Sequence, residues 1–276
     1  MDYALPIAYA LFLWWFSTGI IFFLDSLPVR TFKWSMAGAT LVLAAAFYAI
    51  WHSAGMTGTW AAYAAFTGGL LAWGWQEISL YMGFVTGPRK TRCAKGCSGW
   101  RHFGHAIGVN LWHEISIIVT AGIIAWLTWD AENLIGLWTY LALWGMHLSA
   151  RLNVFLGVRN VSEEFVPAHM EVLKGFLTQK PMNLLFPFSV TAATIGSVML
   201  FMAAANASTA HDVTGYSLVA ALMTLALLEH WFLMIPLPVE RLWHWSLSPR
   251  KDAAKSRKEL PGKFDYTRLK INLKPN

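Results

Sequence analysis

Charge is scarce in this sequence. Asp, Glu, Lys and Arg make up 13% of the 276 residues and hydrophobic types 56%, where an average soluble domain carries roughly 25% charged residues. So little charge cannot cover a water-facing surface, and a lipid solvent is expected. Cysteine is nearly absent, with only Cys93 and Cys97, which excludes a disulfide-built scaffold. No phosphate-binding P-loop, dinucleotide fingerprint or nucleophile elbow is present, so the commonest sequence marks of nucleotide and acyl-transfer chemistry are missing.

What is present is a series of long apolar runs divided by short polar breaks. The runs Asp2 to Leu24, Lys33 to His52, Thr59 to Val85, Phe103 to Trp129, Leu134 to Leu156, Pro181 to Ala205 and Val213 to Leu237 are each long enough to cross roughly 30 Å of hydrocarbon at about 1.5 Å per residue. The expected fold is an all-α integral membrane protein of about seven transmembrane helices. Residues 1–246 form the bundle and 247–276 a basic tail.

The placement of cations sets the expected topology. Arg30 and Lys33 flank the first connection. Arg89, Lys90, Arg92, Lys95 and Arg101 fill the third, Arg151, Arg159, Lys174 and Lys180 belong to the fifth, and the rest follow the seventh run. The even-numbered connections hold Asp130, Glu132 and Asp212 and no Lys or Arg. The positive-inside rule therefore predicts a periplasmic amino terminus and a cytoplasmic carboxyl tail, in a bacterial inner or intracytoplasmic membrane. The first run lacks a positively charged start, so it is expected to be the first span rather than a cleaved signal peptide. The basic tail is expected to meet anionic lipids or an acidic partner, not nucleic acid, because it has few aromatics and no recognition module.

Six ionisable residues are expected at one depth. Glu77, His113, Glu114, His147, Glu229 and His230 each fall roughly 13–17 Å from the predicted cytoplasmic helix ends at about 1.5 Å per residue. Ionisable groups in hydrocarbon are costly and turn toward the bundle interior. Carboxylate with imidazole suits iron, manganese or zinc, so all six are candidate metal ligands. His113, His147 and His230 are also candidate ligands of haem iron or of a bacteriochlorophyll. Two other readings stay open: a hydrogen-bonded network that fixes packing, with Arg151 neutralising a carboxylate from one turn beyond His147, and a proton or solute pathway. The neighbours His113 and Glu114, like Glu229 and His230, point about 100° apart, so one of each pair can face inward while the other meets an adjacent helix.

Cys93 and Cys97, followed by His102 and His105, offer two thiols and two imidazoles. The segment between the thiols and the imidazoles is shorter than in zinc fingers, so reduced, metal-free thiols are expected. Ala37, Gly38, Gly68, Gly69, Gly196 and Ser197 are expected at close helix approaches, and Trp129, Trp138, Trp243 and Trp245 at interfacial belts. Trp73, Trp75, Trp112 and Trp144 lie nearer the ionisable layer. Val166, Met170, Leu173 and Leu177 suggest a short amphipathic interfacial helix.

Several strings carry a resemblance. WWFSTG from Trp14, WGWQEISLYMGFVTGPR from Trp73, HEISI from His113, LNVFLGVRNVSEEF from Leu152, PMNLLFPFSVT from Pro181 and LEHWFLMIPLP from Leu228 resemble the PuhE family. These are photosynthetic complex assembly proteins of purple and related phototrophic bacteria, encoded near the reaction-centre H-subunit gene. The similarity runs from about Leu11 to Trp245, leaving the tail unmatched. It implies a membrane factor for assembly of the reaction centre and light-harvesting apparatus or for control of bacteriochlorophyll supply. The implied partners are reaction-centre or light-harvesting subunits and pigment-synthesis enzymes. No reaction is attached to the family, so the resemblance supplies no catalytic residue and a non-enzymatic role is favoured. The rival expectations are a membrane-embedded Glu/His metalloenzyme acting on a tetrapyrrole, carotenoid or quinone, and a transporter, which lacks an evident inverted repeat.

Overall fold

The structure is a computed structural model and describes residues 3–93, 96–161, 166, 168–235, 237, 239–243 and 245–246. The basic tail 247–276 lies outside them. Seven long α-helices follow one another among the described residues: α1 Ala4–Ser26, α2 Phe32–Ser53, α3 Thr59–Tyr81, α4 Gly99–Leu127, α5 Ile135–Leu156, α6 Leu185–Asn206 and α7 Ala210–Phe232. The described residues contain no strand, only an isolated bridge between Val158 and Gln179.

Five segments are long and apolar enough to cross a membrane: α1, Val29–Ser53 around α2, α4, α6 and α7. α3 and α5 are of similar length but more polar, for they carry Gln76 and Glu77, and His147, Arg151 and Asn153. They are also walled in. α3 packs against α1, α2, α4, α5 and α7, so its polar groups meet protein on most sides. The outside of the bundle is apolar: Leu41 is 74% and Phe188 73% exposed, an arrangement that suits hydrocarbon rather than water.

Two buried clusters hold the interior together. Ala62, Phe66 and Leu70 of α3 meet Leu218 and Leu222 of α7, while Trp73 packs with Ile117 and Ile124 of α4 and Tyr140 of α5. The small residues have unequal roles. A Cβ on Gly68 would press on Ile50 and on the main chain of Ala46, and one on Gly69 on the main chain of Gly136 and on Thr139, whereas Gly38 has open space around it. Gly68 and Gly69 thus set the approach of α2 and α5 to α3.

Helix ends differ from the sequence expectation for local reasons. α3 stops at Tyr81 rather than Val85 because Gly83 takes φ +80°; Phe84 N–H donates to Ser79 O at 2.9 Å and Gly83 N–H to Leu80 O at 2.9 Å, the Schellman pattern that satisfies the last carbonyls. α7 begins at Ala210 rather than Val213 because Thr209 caps it: the Asp212 N–H donates to Thr209 Oγ1 at 3.0 Å and the Thr209 hydroxyl to Asp212 Oδ2 at 2.8 Å.

The expected amphipathic segment is an irregular helical stretch, Ala168–Phe176, lying on α4 with Met170 and Phe176 buried. Trp129 and Trp138 are exposed, as a belt requires, but Trp243 is buried and its indole donates to Trp15 O at 2.9 Å. That contact ties the chain after α7 to α1.

Candidate functional site

The register between α3 and α4 is held by one buried amide. Gln76 Nε2 donates to Thr120 Oγ1 at 2.8 Å, and Ser116 Oγ donates to Gln76 Oε1 at 2.9 Å. A second device works from the loop after α3. Arg89 N–H donates to Gly108 O at 3.0 Å and His113 N–H to Thr86 O at 2.9 Å, so residues 86–89 fold back along α4. Gly87 permits it, since a Cβ there would overlap the main chain of Gly108 and Val109. The backbone of His113 is thereby pinned opposite the residue that follows Gln76.

That residue is Glu77. One potential donor atom each from Glu77, His113 and His147 lies within 4.8 Å of the others. His147 Nδ1 stands 3.4 Å from Glu77 Oε1, with side-chain exposures of 20% and 13%. The two imidazoles are 6.1 Å apart between centroids, and the edge-to-face contact of His147 with Trp73 is 5.1 Å. His113 is wholly buried. Both of its ring nitrogens, His147 Nε2 and Glu77 Oε1 are buried without a hydrogen-bond partner among the described residues. Each unsatisfied polar atom of this kind costs about 1–3 kcal/mol, while Glu77 Oε1 keeps its 3.4 Å approach to His147 Nδ1.

The other three candidates are engaged elsewhere. Glu114 pairs with Arg151 of α5. Glu229 Oε1 accepts from Trp14 Nε1 at 3.0 Å. His230 is satisfied at both nitrogens: Nδ1 is 2.9 Å from Ala226 O and Nε2 2.9 Å from Ser149 Oγ. Since a carbonyl only accepts, Nδ1 carries the proton and Nε2 accepts from the serine. A cavity of about 240 Å³ between α1, α3, α5 and α7 is lined by Trp14, Trp73, Glu77, Met146, His147 and Glu229. Glu77 and His147 thus face both His113 and open space.

Residues 1–254 match the family DUF3623, described as a protein of unknown function. The chain belongs to this family. It is also 36% identical, over 259 residues covering 92% of this chain and 94% of the relative, to the "Uncharacterized 30.4 kDa protein in puhA 5'region" of Rhodobacter capsulatus. No solved structure matches it.

In this DUF3623 chain the sequence pattern brought out all three residues of the triad but not what positions them. Gln76 carries no charge to mark it, and the backbone bonds of Thr86 and Gly108 leave no sequence mark beyond a Gly-Pro pair. The Cys/His group on the third connection is also assembled. Desolvation, followed by the adjoining Cys97, pushes the Cys93 thiol above its ordinary range, with Arg89 and Arg101 pulling it back.

Proposed function

We propose that this chain is a seven-pass bacterial inner-membrane factor for assembly of the photosynthetic apparatus, holding a first-row transition metal ion on Glu77, His113 and His147. The metal part is carried by one potential donor atom each from Glu77, His113 and His147, on three helices, lying within 4.8 Å of one another, with both His113 ring nitrogens and His147 Nε2 buried without a hydrogen bond among the described residues. Two imidazoles and one carboxylate are the donor set of facial non-haem iron sites and also suit manganese or zinc. The cavity of about 240 Å³ is below the roughly 300–1,000 Å³ of pockets that enclose drug-sized ligands, so an enclosed bacteriochlorophyll fits the interior less well than an ion does. The photosynthetic part is supported by the puhA-region relative and by the PuhE-like strings. Reaction-centre or light-harvesting subunits are the proposed partners, and the basic tail is assigned to anionic headgroups.

The test of function is complementation. A phototrophic host deleted for this gene should assemble less reaction-centre and light-harvesting complex, read from membrane absorption. The wild-type gene should restore it, whereas His113→Ala, inserted at normal level, should not. Full restoration by that variant overturns the metal's role, and an unchanged spectrum in the deletion strain overturns the photosynthetic one.

One observation favours a second reading, a metalloenzyme acting on a tetrapyrrole, carotenoid or quinone. Glu77 and His147 border a cavity whose far wall carries Glu229, and three protein ligands leave coordination positions open. Under that reading Glu229→Gln loses function with the metal retained. A metal used only for assembly tolerates the change.

Seven spans with the amino end periplasmic give a topology prediction. A reporter active only in the periplasm should work when fused after Asp130 or Asp212 and fail after Lys95 or Lys174, because cations concentrate on one side. Activity at Lys174 would reverse the orientation.

A further inference from the structure

The loop after α3 ends in a turn made by two glycines of positive φ, Gly96 at +82° and Gly99 at +62°. Cys93 and Cys97 lie against the first turns of α4. His102 and His105 are three apart there and share one helix face. Cys93 Sγ lies 3.3 Å from His102 Nδ1 and 3.0 Å from His105 Nδ1, and Cys97 Sγ is 3.4 Å from His105 Nδ1. Cys93, Cys97 and His102 present donor atoms all within 4.8 Å of one another, and the three are half-buried.

We propose that Cys93, Cys97, His102 and His105 form a structural zinc site that clips the connection between α3 and α4 onto the bundle. Zinc–sulfur bonds of about 2.3 Å and zinc–nitrogen bonds of about 2.0–2.1 Å at tetrahedral angles place sulfur and nitrogen roughly 3.5 Å apart. The three sulfur–nitrogen separations, 3.0–3.4 Å, approach that edge. The same proximity argues against a two-iron cluster of the Rieske kind, where thiolates hold one iron and imidazoles the other; here one sulfur touches both rings. Four protein ligands leave no open position, the mark of a structural rather than a catalytic zinc.

The surroundings hold the ligands in place. The His102 ring is stacked between Phe155 of α5, 5.3 Å away, and Phe176, 5.1 Å away. Arg92, next to Cys93, is ion-paired with Glu171 at 3.3 Å. The site therefore joins four parts of the chain: the loop, α4, the end of α5 and the segment Ala168–Phe176. Zinc-finger spacing is not needed here, because the chain around Gly96 and Gly99 already sets both thiols against His102 and His105.

The experiment uses the full chain in mild detergent, with zinc and cobalt(II) as probes. Elemental analysis should find one zinc per chain that Cys93→Ser and Cys97→Ser remove and that Glu77→Gln and His113→Ala leave in place. Cobalt(II) exchange should give thiolate-to-cobalt absorption in the wild type and none in Cys93→Ser. Alkylation of the two thiols in the wild type should quicken by roughly tenfold or more on chelation, because a bound thiolate is withheld from the reagent. This last reading needs no variant to fold. Equal alkylation with and without chelator, or zinc that leaves with Glu77→Gln rather than with Cys93→Ser, would overturn the site. Its failure is separable from that of the inner triad, since each set of variants addresses one site.

Discussion

Replacing His113 with alanine should leave less than about one tenth of the wild-type metal on the inner site, while the protein inserts in the membrane at its normal level. Loss of outer-shell support alone lowers metal affinity by about 10–100-fold, and His113 is one of three side chains that converge there among the described residues. Insertion is driven by the apolar helices, which the change does not touch. Glu77→Gln separates a ligand role from a packing role. Glutamine keeps a hydrogen-bonding group of the same size but is a weak ligand, so metal should be lost with little change in thermal stability. A network that only fixed packing would give the reverse, with tolerance of Glu77→Gln and instability of His113→Ala. The measurement belongs in a Cys93→Ser background, so that zinc on the loop does not obscure the count. If that protein, isolated with native lipids from phototrophically growing cells, carries no stoichiometric metal, the inner site holds none.

The seven apolar runs were legible because lipid demands continuous hydrophobic length, and all seven long helices lie within or close to them. The polarity of α3 and α5 was legible too, but its meaning was not. Only the packing of α3 against five neighbours explains how Gln76 and Glu77 sit in so apolar a protein. The common depth of the six ionisable residues followed from counting along helices. Which of them meet depends on helix rotation, which counting does not give. His113 turns to His147 while its neighbour Glu114 turns to Arg151, and His230 turns to Ser149 instead of the triad. Least legible were effects made by backbone, namely the return of residues 86–89 along α4 and the glycine turn that gathers Cys93, Cys97, His102 and His105. Both rest on φ angles and carbonyl positions that residue type only weakly marks.

Arg151→Ala should be the most destabilising single change near the layer, by up to about 3–5 kcal/mol, the cost of stripping one partner from a fully buried ion pair. Its guanidinium pairs with Glu114, and the two side chains are 29% and 25% exposed. α4 is among the helices apolar enough to cross a membrane, and an ionisable group within such a span is costly without a partner, as Glu114 would be once its countercharge is gone. Glu114→Gln should cost less. The arginine it releases is five residues from the end of α5 at Leu156, and its long stem can carry the charge toward that polar end. The double change Arg151→Met with Glu114→Leu should recover most of the loss, since apolar residues of similar volume often replace a buried pair without penalty. Thermal denaturation in detergent, followed by gel filtration, should rank the three in that order; equal stability of Arg151→Ala and wild type would show the pair to be idle. The same set decides the size of the metal site. Glu114→Gln should keep the inner metal that Glu77→Gln loses, because Glu114 is neutralised by Arg151 whereas Glu77 faces two imidazoles.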